Sequence, residues 1–162
     1  MSKVRIAMAA AGMAVAVLAA APGAYAMGGS SDKPAAETKA TDPNYTAAVA
    51  AIQAKDYAKA IPLLNQVVAK DSKNADAFNY LGYSHRELGQ LDQALSFYEK
   101  ALAINPDHRG AHEYLGELYL KKGDVKNAEV QLAKLDDLCT FGCDEYRELK
   151  KKIVAYKSGK SS

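Results

Sequence analysis

Residues 75–108 read ADAFNYLGYSHRELGQLDQALSFYEKALAINPDH, and their pattern returns at a fixed period of thirty-four residues on both sides. Ala60, Ala94 and Ala128 share that spacing, as do Leu81 with Leu115, Gly82 with Gly116, and Gly89 with Gly123. Three turn strings align in the same register: KDYAKAI from Lys55, GQLDQAL from Gly89 and GDVKNAE from Gly123. A period of this length marks stacked supersecondary units, none of which buries its apolar face alone.

Local signals divide each unit into two helices. Asp42-Pro43 reads as an N-cap followed by proline in the first turn, where the missing N–H costs nothing. Gly89 and Gly123 stand where a C′ glycine ends a helix, and Pro106 stops the second unit. Small residues at Gly82, Gly116, Ala94 and Ala128 let paired helices approach, while Leu64, Leu81, Tyr98, Leu115 and Leu132 fill the seam at helical spacing. The spacing predicts helices over 43–54, 57–70, 75–88, 91–104, 109–121, 124–138 and 144–157. Pro62 falls inside the second of these and is expected to kink or weaken it.

At these residues the chain resembles the tetratricopeptide repeat (TPR) family, whose pattern is W-x2-L-G-x2-Y, then A-x3-F, then P. The middle unit, 75–108, carries Phe78, Leu81, Gly82, His85, Ala94, Tyr98 and Pro106; the third, 109–142, carries His112, Leu115, Gly116, Tyr119, Ala128 and Leu132, with Thr140 in place of the proline. The first unit, 41–74, departs from the pattern in its front half and recovers it at Ala60 and Leu64. The resemblance implies an all-α fold: a right-handed α-solenoid of three TPR helix pairs. Tyr146, Leu149, Ile153 and Tyr156 at three- and four-residue steps make 144–157 a capping helix over the last pair.

The start of the chain reads as an export signal. Lys3 and Arg5 precede an apolar run from Ile6 to Leu18, and Ala24-Tyr25-Ala26 offers a signal-peptidase site. The expectation is a cleaved Sec-type signal over 1–26 and a periplasmic location, with a retained anchor as the alternative. Residues 27–41, rich in Gly, Ser, Pro, Ala and Lys, are read as a disordered linker, and 158–162 as a disordered tail. The full chain holds 21 Lys+Arg and 19 Asp+Glu; without Lys3 and Arg5 the charges balance, which argues against nucleic acid as a partner.

Cys139 and Cys143 are the only cysteines. In an oxidising compartment a disulfide is the first expectation for such a pair. It would pin the capping helix to the last repeat, with Gly142 supplying the positive φ of the turn between them. The alternative is a thiol-active factor, although CxxxC lacks the CxxC spacing and βαβ setting of thioredoxin-like motifs.

No phosphate loop, GxSxG elbow or CxxCH haem attachment occurs, so the expectation is a non-catalytic protein without cofactor. His108 and His112 stand four apart, as residues sharing a helical face do, with Glu113 beside them, but structural zinc sites usually take four ligands, and packing is the expected role. His85 is read as a packed core histidine.

The resemblance implies instead a concave groove lined by the first helix of each unit. Carried over position by position, the groove residues are Tyr45, Val49, Asn79, Tyr80, Tyr83, Arg86, Glu87, Glu113, Tyr114 and Glu117. Tyrosines among acids suit a partner protein's extended or helical segment with apolar and basic side chains. The Lys/Asn/Arg set with which some members clamp two carboxylates is absent. The same tyrosines serve equally well as packing residues. The basic face of the last helix, with Arg147, Lys150, Lys151, Lys152 and Lys157, is read as solvated, with weaker potential for membrane contact.

Overall fold

The computed structural model describes residues 42–159; the expected signal, the whole of the expected linker and residues 160–162 of the expected tail lie outside it. Seven helices follow in order: α1 (Pro43–Gln53), α2 (Tyr57–Lys70), α3 (Ala75–Glu87), α4 (Leu91–Ile104), α5 (Arg109–Lys121), α6 (Val125–Leu138) and α7 (Asp144–Lys157). Each packs on the next, and α3 also meets α5 as α5 meets α7, while α1 reaches α3 through the Tyr45 and Tyr80 rings, so the odd-numbered helices follow one another in a layer.

The helices begin where short polar side chains satisfy orphan N–H groups. Asp42 accepts from the Asn44 amide, Asp56 from Lys59, Asn74 from Ala77, His108 from Ala111 and Asp124 from Asn127. α4 lacks such a bond at Gln90, whose side chain turns to the His85 ring instead, 2.5 Å from Nδ1. α7 has none at Cys143 either, but Asp144 and Glu145 in its first turn face the positive end of its dipole.

The loops inside the helix pairs turn through left-handed backbone at positions 55, 89 and 123. Gly89 has φ 75° and Gly123 φ 77°, but the first pair places Lys55 there, at φ 60°. A side chain in that region costs roughly 1 kcal/mol. Lys55→Gly is expected to stabilise the domain by about 0.5–1 kcal/mol, read as a higher denaturation midpoint with unchanged m. α2 runs on past Pro62, whose ring sits on the exposed side of the helix; the expected interruption is confined to the hydrogen bond that proline has no N–H to make.

Three apolar clusters fill the space between the helices. Ala48, Ala51, Ala60, Leu64, Val67, Ala77 and Leu81 join the first pair to α3. Ala94, Tyr98, Leu115 and Leu118 fill the middle, and Leu120, Ala128, Leu135, Leu149 and Ile153 seat α7 on the third pair. Gly82 and Gly116, which share one repeat position, both permit close packing. A Cβ on Gly82 would lie 2.6 Å from the Tyr98 ring, and one on Gly116 would lie 2.5 Å from Leu149. Gly116 is thus reserved for a residue of α7, which therefore extends the stack as well as covering its end.

Candidate functional site

The inner layer of α1, α3, α5 and α7 carries the residues expected to line a groove. Tyr45 and Tyr80 rings meet at 5.9 Å between centroids, and Tyr83 and Tyr114 at 5.0 Å. These rings join successive helices of the layer, and all four are partly exposed. Burial pushes the phenols of Tyr45, Tyr83 and Tyr114 above the ordinary tyrosine range, so they act as neutral hydroxyls. Val49 is partly exposed on α1 and Glu87 is exposed at the end of α3.

Three of the expected groove residues are instead buried. Arg86 is 3% exposed, Asn79 5% and Glu117 6%. The Arg86 guanidinium lies 5.1 Å from the Tyr83 ring centroid and 5.4 Å from that of Tyr114, donates from Nη1 to Glu117 Oε2, and reaches Glu87 at 3.1 Å. Glu117 also accepts from Lys152 Nζ of α7. Arg109 stands 3.8 Å from Glu145, another residue of α7. The repeat register places Arg86 and Glu117 on inward positions, but it gives no sign that each is the other's counter-ion or that α7 supplies the lysine.

Glu113, one turn before Glu117, has no ion pair or hydrogen bond among the described residues. Burial raises its carboxyl to about pKa 7, with Glu117 and Glu145 adding repulsion and Lys152 and Arg86 opposing it. The fold therefore favours the protonated acid, and that contribution to stability is full below about pH 4.5 and lost as pH rises through about 7. Glu113→Gln removes the loss. It is expected to be about 1–3 kcal/mol more stable than the parent above pH 7 and equal to it near pH 4, as measured by denaturant unfolding across pH.

The histidines are held by local partners. His108 Nδ1 accepts from the Ala111 amide, and its Nε2 lies 3.0 Å from Asp76. His112 places Nδ1 2.7 Å from Gln131 Oε1 and Nε2 2.8 Å from the Pro106 carbonyl. His85 is partly exposed and stacks on Phe97 at 5.1 Å. Among the described residues no group of three or more His, Cys, Asp and Glu could hold a metal ion, and no helix is long and apolar enough to cross a membrane.

Cys139, the last-turn cap of α6, and Cys143, the N-cap of α7, are joined through sulfur at 2.13 Å. Gly142 between them has φ 76°, as the tight turn demands. Phe141 at the tip of this loop is 97% exposed, a feature that the repeat register does not foreshadow. Closing a loop this short contributes about 2 kcal/mol on the chain-entropy estimate. Cys139→Ser with Cys143→Ser is expected to lower stability by about that amount, and the unreduced native protein to leave thiol reagents unreacted.

Stacked helix pairs with a tyrosine-rich, acidic inner layer define a helical-repeat protein-interaction module. The chain belongs to the tetratricopeptide repeat family: two family models, both described as tetratricopeptide repeat, match residues 45–109 and 85–153. It is 35% identical over 91 residues to tetratricopeptide repeat protein 37 of Xenopus laevis, covering 52% of this chain and 6% of that protein. The chain thus spans a small part of that relative's length. Among solved structures it is similar to the Yersinia enterocolitica type III secretion chaperone SycD in complex with a peptide of the translocator YopD, with TM-score 0.62, 22% identity, and 72% and 88% of the two chains covered. It is likewise similar to PcrH in complex with the chaperone binding region of PopD, with TM-score 0.64, 20% identity, and coverage of 73% and 91%. At these identities the likeness is one of fold.

Proposed function

We propose that this protein is a periplasmic adaptor or assembly factor that holds an extended or helical segment of another envelope protein in the groove formed by its odd-numbered helices. The observation that carries the reading is the row of partly exposed tyrosines, Tyr45, Tyr80, Tyr83 and Tyr114, running across α1, α3 and α5. Aromatic rings held rigidly on helices provide large contact area at low entropic cost, which is what anchors a bound segment. Neighbours of the same fold with bound partner peptides support the reading, and the apolar N-terminal run with its small-residue cleavage pattern supports the compartment.

The structure shapes the choice of test. Glu117 is too deeply paired to serve as a neutral groove probe, whereas Val49 and Tyr83 are accessible. Val49→Arg with Tyr83→Ala, checked for helix content and thermal unfolding, is expected to reduce capture of cross-linked periplasmic partners at least about tenfold. Unchanged capture by the folded variant would remove the groove from the account.

A further inference from the structure

We infer that Glu113 is the receptor for one cationic side chain, a lysine or arginine, of the segment bound on the inner layer, and that docking of this cation makes binding proton-linked. The inference rests on the groove reading above and specifies the chemistry at one point of it.

The argument begins with the placement of charge. Glu117 on its own helix and Glu145 on α7 repel the Glu113 carboxylate, and Arg86 on α3 and Lys152 on α7 attract it; the ion pairs of these groups add Glu87 of α3, bound to Arg86, and Arg109 of α5, near Glu145. That is four carboxylates against three cations. Every cation is already committed elsewhere: Arg86 to Glu117 and Glu87, Lys152 to Glu117, and Arg109 toward Glu145. Glu113 is the carboxylate left over. It is partly exposed, so a ligand can reach it, and it adjoins Tyr114, whose phenol it raises. A carboxylate beside aromatic rings is a good receptor for an ammonium or guanidinium group, through charge and cation–π attraction together.

The same placement excludes an acidic ligand at this point. A second carboxylate here would face Glu113, Glu117 and Glu145, while the nearest arginine is enclosed between two tyrosine rings and a glutamate.

Proton linkage follows from the free state. With its carboxyl at about 7, Glu113 is largely protonated at about pH 6 and largely ionised at about pH 8. A cation binds the ionised form, and the displaced proton goes to solvent. Affinity is expected to rise about tenfold over that interval, as the ionised fraction does. His108, at the start of the same helix, lies 3.0 Å from Asp76, and comparison of the wild-type pH profile with that of a Glu113 variant isolates the part that belongs to Glu113.

The test uses labelled synthetic peptides of leucine and alanine that carry one central lysine, arginine, glutamine or glutamate. Their affinities are measured by fluorescence anisotropy for the wild type, for Glu113→Gln and for Val49→Arg with Tyr83→Ala. In the expected result, lysine and arginine peptides bind the wild type about tenfold more tightly than the glutamine peptide at about pH 8, and lose that advantage at about pH 6. Glu113→Gln should bind lysine and glutamine peptides alike at both values. If all peptides bind in the groove, as loss in the double variant would show, but lysine brings no advantage or the pH dependence survives in Glu113→Gln, the inference is overturned and the groove reading stands. Peptide binding that the double variant leaves intact would overturn both.

Discussion

Replacing Glu117 with alanine is expected to destabilise the domain by about 3–5 kcal/mol, the cost of leaving a buried charge without its partner. The Arg86 and Glu117 side chains are 4% and 7% exposed, and Arg86 is enclosed between the Tyr83 and Tyr114 rings. In the variant, the guanidinium keeps Glu87 at 3.1 Å but loses its bond to α5, and Lys152 loses its acceptor. The fall should appear as a lower urea midpoint with unchanged m. Arg86→Met combined with Glu117→Met should recover much of the loss, because removing both charges also removes the desolvation each imposes. A Glu117→Ala variant as stable as its parent would show that this pair does not fasten α3 to α5.

The second large effect is steric. Gly82→Ala is expected to cost about 1–3 kcal/mol through overpacking, against an intrinsic gain in helix propensity of about 1 kcal/mol. The new methyl would meet Tyr98 ring atoms at 2.6 Å, and Tyr98 is fully buried, so neither helix can yield without disturbing the central cluster. Combining Gly82→Ala with Tyr98→Leu should be less damaging than the two single losses added together, and that coupling distinguishes a clash from a general helix effect. A stabilised Gly82→Ala protein would contradict the close packing of α3 on α4.

Most of the fold is legible in the sequence because its signals are local and repeated. The expected boundaries of α1, α3 and α6 differ from the observed ones by one residue, and the other four agree, since Asp42, Asp56, Asn74, His108 and Asp124 cap helices through side chains that a reader can locate. Gly82 and Gly116 announce close packing, but only the structure shows that Gly116 receives Leu149 from α7. Lys55 in left-handed backbone is hidden because only its alignment with Gly89 and Gly123 hints at the turn it occupies.

The candidate site was less legible. Position within the repeat identifies the residues of the inner layer, but it treats each as independent. Arg86 and Glu117 stand 31 residues apart and Lys152 comes from beyond the last repeat, so their burial together depends on how α7 packs. The isolation of Glu113 is a consequence of those pairings and has no sequence signature of its own. The two cysteines needed only proximity in sequence and a short turn, and there the reading and the geometry coincide.

The central claim, that the inner layer binds a partner segment, is tested most directly by photo-crosslinking in cells from single positions on opposite sides of the stack. A photoreactive phenylalanine at Thr46, Val49 or Asp76 on the odd-numbered helices is compared with one at Asn65 of α2 or Glu99 of α4. The expected result is one shared adduct from the three inner positions, mapped to a single segment of one partner, and none of it from Asn65 or Glu99. Adducts of equal yield from both sides, or from Asn65 and Glu99 alone, would contradict the account.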